Sequence, residues 1–140
     1  ADGNIVILNN ELIKELGVSH KEIQMVIDKE KIELQRRNQA YRKGKPLPNL
    51  HNKQIILVDD GIATGATMKA AITALKAYKP RKMILAVPVA SPQSLIELEP
   101  QIDEIQCVLQ PDQLYSIGQW YQSFPQTSDA EVCNLLNHSK

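Results

Sequence analysis

Two adjacent carboxylates, Asp59 and Asp60, close the apolar run Ile55-Ile56-Leu57-Val58 and are followed by Gly61-Ile62-Ala63-Thr64-Gly65-Ala66-Thr67, a stretch of small and hydroxyl residues. An apolar strand would deliver both carboxylates at its C-terminal end, and the loop leads directly into a helical pattern. In open α/β sheets that edge is where ligands bind, and the free N–H groups and positive dipole end of the helix make the loop an anion receptor. Gly61, Ala63, Gly65 and Ala66 let the backbone approach a phosphate, while Thr64 and Thr67 add hydroxyl donors. Carboxylates beside an anion site repel it unless a polyhydroxylated or cationic group lies between them, and they are costly to hold at a buried edge without a role. A ribose 5-phosphate meets both demands: its phosphate sits on the loop and its 2- and 3-hydroxyls donate to Asp59 and Asp60.

Other phosphate motifs do not fit. A Walker loop needs Gly-Lys-Ser/Thr after its spacers and a dinucleotide fold needs GxGxxG, and neither occurs; nor does the aspartyl-phosphate signature Asp-x-Asp-Gly-Thr. At 140 residues the chain is the size of one domain. Sixteen Lys and Arg balance sixteen Asp and Glu, so no global field draws it to nucleic acid or an anionic membrane. Its longest apolar runs, such as Met83 to Ala90, fall short of the roughly 20 residues that span a bilayer, and residues 1–20 do not show a basic start followed by an apolar stretch. Cys107 and Cys133 lack any CxxC or Cys/His partner and read as buried, reduced thiols, which suits a cytoplasmic protein.

The elements that must position the motif follow from periodicity and punctuation. Residues 5–8 read as a short strand, Asn10 to Leu16 as a helix closed by Gly17, and Ser19 to Glu22 as a capping box opening a long helix. That helix repeats Ile27, Leu34 and Tyr41 every seven residues, with Ile23 and Val26 beside them, which makes it a surface helix packed along one face or one that awaits a partner. Lys43 to Asn49, with two prolines and a glycine, is a hinge. Beyond it come a strand at 54–58, a helix from Thr67 to Lys79, a strand at 82–89, a helix from Ser91-Pro92 to about Leu98, and a strand at 104–109. Such alternation predicts an α/β protein with a parallel sheet flanked by helices. Residues 111–127 have no clear period, and a second capping box at Ser128 to Glu131 opens a C-terminal helix.

Val58 to Thr67 resembles the phosphoribosyl pyrophosphate motif of the type I phosphoribosyltransferases, joining acidic pair, Thr-Gly-x-Thr loop and α/β context in the right order. Pro111 to Gly118 is similar to the hood of purine-handling members, where an aromatic residue a few positions after Pro-Asp stacks on the base. The correspondence falls on Tyr115, with Trp120 as a second base-binding candidate and Tyr121 and Phe124 nearby. The resemblance implies transfer of ribose 5-phosphate from phosphoribosyl pyrophosphate to a nitrogenous base, with Asp59 and Asp60 catalytic. It also implies Mg2+ bound mainly through the substrate, and a nucleoside monophosphate as product. Carboxylates under the ring would stabilise the cationic ribose of the transition state more than the ground state.

Two departures shape the expectation. Members acting on 6-oxopurines carry an Asp just before the first Thr of the loop, where this chain has Ala63, so a hypoxanthine or guanine enzyme is disfavoured. The family also places a strand and a pyrophosphate loop upstream of the motif, whereas residues 1–53 are mostly helical and charged. Residues 1–140 therefore read as one partial domain lacking its N-terminal strand: a helical insertion at 1–53, an α/β core at 54–110, and a hood with C-terminal helix at 111–140. A homo-oligomeric partner or an upstream segment would complete it. A non-catalytic module that binds or senses a nucleotide is the alternative, and a scaffold with a vestigial loop is a remote third reading.

Overall fold

The structure, a computed structural model, describes Val6, Leu8 and residues 10–138. The strand expected at 5–8 lies outside the described residues apart from Val6 and Leu8, which are exposed. The helices and strands in chain order are α1 (Asn10–Leu16), α2 (His20–Arg42), β1 (Gln54–Val58), α3 (Ala66–Lys76), β2 (Lys82–Val89), α4 (Pro92–Leu98), β3 (Glu104–Leu109) and α5 (Asp129–His138). Short 3-10 turns at Glu99–Gln101 and Ile117–Trp120 complete the set. Contacts divide the chain into two units, one of residues 48–124 and a helical one holding α1, α2 and α5.

In the first unit the strands form a parallel sheet in the order β1-β2-β3. Each β-α-β crossover is right-handed by the ordinary rule, so a sheet that grows in one direction places both crossover helices on the same face. Met68 and Ile72 of α3 and Leu95 and Leu98 of α4 accordingly pack with Met83, Leu85 and Val87 of β2 in one core. Ile72, Leu85 and Leu98 are fully buried, each contributing about 1.5–3 kcal/mol of burial. The other face carries Ile56, Val58 and Val108, all exposed.

The helix predicted over 67–79 is shorter at its end and begins a residue earlier. Ala66 opens it, and it stops at Lys76 because Lys79 turns left-handed (φ 51) and gives its carbonyl to the N–H of Asn52 at 3.0 Å. The two cysteines, expected to be buried, are half-buried. Burial and the neighbouring Leu109 and Ala90 backbone act in opposite directions on the Cys107 thiol, and burial prevails, pushing its pKa up.

In the helical unit, the Ser19 hydroxyl accepts the N–H of Glu22 while the Glu22 carboxylate accepts the N–H of Ser19, closing the expected capping box. The same reciprocal pair joins Ser128 and Glu131 at α5. Along α2 the apolar stripe is only partly covered: Ile23, Ile27 and Tyr41 are half-buried, Val26 and Leu34 exposed. α5 packs on α2, and Asp129 receives hydrogen bonds from Arg36 and from Tyr41, each at 2.5 Å. No helix among the described residues is long and apolar enough to cross a membrane.

Candidate functional site

Burial alternates along β1, with Ile55 and Leu57 turned to the core and Ile56 and Val58 away from it. The two-residue parity of a strand continues past its end. Asp59 is half-buried and lines a cleft of about 210 Å³, together with Gly61 to Met68 and Ile117; Asp60 is exposed and takes no part in that lining. The motif's two carboxylates are thus unequal. Burial pushes the Asp59 carboxyl above its ordinary pKa, and the Asp60 charge adds to this. The Asp60 N–H, donating to Asp59 Oδ1 at 3.0 Å, works the other way.

The loop is tied to the end of β2 before it turns. Ile62 donates its N–H to Val89 O and accepts the Ser91 N–H on its carbonyl, both at 2.9 Å, forming a parallel bridge with Ala90. Beyond that bridge, Gly65 takes a left-handed conformation (φ 73, ψ 0) and N-caps α3 without a side-chain hydrogen bond. The first-turn N–H groups of a helix have no intrahelical acceptor. Here neither a capping side chain nor an acidic first-turn residue satisfies or neutralises them, and Ala66, Thr67 and Met68 all face the cleft.

A second segment closes over the first. Ile117 lines the cleft and packs against Gly61, where a Cβ would lie 2.6 Å from Ile117 Cδ1. The Tyr121 hydroxyl donates to Asp60 O at 2.7 Å, and its ring meets Phe124 at a centroid distance of 4.9 Å. Tyr115 is exposed, its hydroxyl donating to Gln113 Oε1 at 2.9 Å, and Trp120 sits partly exposed in the 3-10 turn. Neither lines the cleft. The structure therefore brings Asp59, Gly61, Ala63, Thr64, Gly65, Ala66 and Thr67 together and leaves Asp60, Tyr115 and Trp120 outside. Ile117 is not among the residues that the sequence pattern marks, because no periodicity in 111–127 singles it out.

A sequence model of the phosphoribosyl transferase domain matches residues 5–117. The chain belongs to the phosphoribosyl transferase domain family. Two proteins of Mycobacterium tuberculosis, from strains CDC 1551 / Oshkosh and H37Rv and both provisionally named phosphoribosyl transferases, are each 34% identical to it over 138 residues. The alignments take in 99% of this chain and 31% of each relative, so the chain spans about a third of the length of the curated relatives it matches. The crystal structure of TT1426 from Thermus thermophilus superposes with a TM-score of 0.76 at 27% identity, over 99% of this chain and 65% of that one. In this phosphoribosyl transferase domain the whole β1–α3 motif lies within the matched region, and α5 lies beyond it.

Proposed function

We propose that this domain binds the 5-phosphate of a phosphoribosyl group on the 63–67 loop and acts in transfer of ribose 5-phosphate from phosphoribosyl pyrophosphate to a nitrogenous base. One observation carries the reading. The half-buried Asp59 faces the same small cleft as the uncapped N-terminus of α3, which pairs an anion receptor with a carboxylate in one recess, the combination a sugar phosphate calls for. Asp59 is the residue aimed at the ribose; Asp60 acts on it through its charge and N–H. As the anomeric bond breaks, the ribose gains positive character, and a carboxylate held under it stabilises that charge more than the neutral ground state. The exposed rings of Tyr115 and Trp120 are the surfaces on which a base would stack.

Hard carboxylate oxygens suit Mg2+, and no group of three or more His, Cys, Asp or Glu that could hold a metal ion exists among the described residues. That donor set fits an ion held mainly by substrate oxygens and water, with Asp59 as the one carboxylate in the cleft. When bound, it would draw charge off the leaving pyrophosphate.

A second reading, a module that binds the phosphoribosyl group without turnover, is favoured by one feature: among the described residues, Asp59 is the single titratable side chain lining the cleft. Calorimetry with ribose 5-phosphate, phosphoribosyl pyrophosphate and nucleoside monophosphates, with and without Mg2+, tests the binding common to both. Release of pyrophosphate in the presence of a panel of bases separates them. No binding of any of these ligands would overturn both.

A further inference from the structure

Ser94 is 4% exposed, the one buried polar residue of the described chain, and it lies on α4 rather than in the motif. Its hydroxyl donates to Ala63 O at 2.6 Å. Ser91 stands beside it: its Oγ lies 3.0 Å from the same carbonyl and 2.9 Å from Ser94 Oγ, and it accepts the Ser94 N–H at 3.2 Å as the N-cap of α4. Neither serine lines the cleft. Two hydroxyls from a neighbouring helix thus converge on one main-chain oxygen at the start of the phosphate loop.

The consequence follows from peptide geometry. In a planar trans peptide the C=O of one residue and the N–H of the next point in opposite directions. Holding the Ala63 carbonyl against α4 therefore aims the Thr64 N–H away from α4, and Thr64 is a lining residue of the cleft. Freed from its anchor, the 63–64 peptide could rotate and present a carbonyl to the anion instead, replacing an attraction with a repulsion.

We propose that Ser94, supported by Ser91, is a positioning residue that fixes the 63–64 peptide so that the Thr64 N–H is presented to the phosphate. The assignment rests on the reading of the loop as a phosphoribosyl-phosphate site. The hydroxyl acts through Ala63 and touches no substrate. Because a buried serine at a helix start is also an ordinary structural feature, binding and stability must be read apart.

The test measures ribose 5-phosphate binding by calorimetry for the wild-type chain, Ser94→Ala and Ser94→Cys, with thermal midpoints alongside and the Thr64 amide resonance followed during titration. Ser94→Ala should weaken binding roughly tenfold, the scale of about 1.4 kcal/mol for one misdirected donor, and should shrink the ligand-induced shift of the Thr64 amide. Ser94→Cys keeps a weak donor on a somewhat larger atom and should fall between wild type and Ser94→Ala. It also keeps the test open if the alanine variant folds poorly. Wild-type affinity and an unchanged Thr64 response in a folded Ser94 variant would overturn the inference alone, even if the midpoint falls. Absence of binding to the wild-type chain would overturn the phosphate-site reading and this inference with it.

Discussion

Gly61 lies against Ile117 so closely that a Cβ on Gly61 would stand 2.6 Å from Ile117 Cδ1 and 2.7 Å from its Cγ2. The contact joins the loop after β1 to the segment that bears Tyr115 and Trp120. A glycine two residues after the first carboxylate is therefore required for room. Its neighbour in the motif, Gly65, is required for conformation.

Gly61→Ala should push Ile117 out of the cleft lining and weaken ligand binding while leaving β1 paired. Trimming the obstacle in Gly61→Ala/Ile117→Ala should restore part of the loss, so the double-mutant cycle should give a coupling of about 0.5–3 kcal/mol, as for residues in contact. Strict additivity in binding and in denaturant midpoint would show that the contact has no energetic content.

At Gly65 space is available: the nearest atom to an added Cβ, Ser94 Cβ, is 3.6 Å away. The cost of a side chain there comes from φ 73, about 1–2 kcal/mol for an L-residue and more for a β-branched one. Gly65→Val should accordingly lose more stability than Gly65→Ala and should abolish phosphate binding. Calorimetry that returned full affinity for the valine variant would remove the anion site from this loop.

Asp59→Asn separates stability from function. The Asp59 pKa is raised by burial, so its contribution to stability is fully present below the unfolded carboxylate value and is lost as pH rises through the folded one. At neutral pH the charged carboxylate is a net cost that the amide removes. The variant should melt higher at pH 7 and lose that advantage as pH falls through the folded value, while turnover falls more than donor binding. A lower melting temperature at pH 7 would contradict the sign.

In the helical unit the charges work in the opposite direction. Hydrogen bonds from Arg36 and then Arg37 hold Glu33 down at about 2, and those from Arg36 and Tyr41 lower Asp129. Groups with depressed values contribute stability above their ordinary pKa, and it is lost as pH falls through the folded one. Packing of α5 on α2 should therefore loosen as pH falls below the ordinary aspartate range through the lowered Asp129 value, and Asp129→Asn should remove part of that dependence. Amide exchange in α5 that stays constant over this range would refute it.

Much of this architecture is legible in the chain because it rests on short-range signals. The capping boxes at Ser19 and Ser128, the closure of α1 at Gly17, and Pro92 at the first turn of α4 each involve residues within four positions of one another, and each stands where the pattern places it. The parallel sheet follows from alternation, and the small-residue loop that leads from β1 into α3 follows from residue types. What tertiary structure decided lies between elements. The parity of β1 and its packing against α3 and α4 sends Asp59 into the cleft and Asp60 out of it, a distinction that two identical neighbouring residues cannot carry in sequence. Ser94, 31 residues from Ala63, and Tyr121, 61 residues from Asp60, reach the loop only because the crossovers return the chain to the same sheet edge. Local sequence sets hydrogen bonds that close within a turn; partners brought together by burial of a shared core are set by the whole fold.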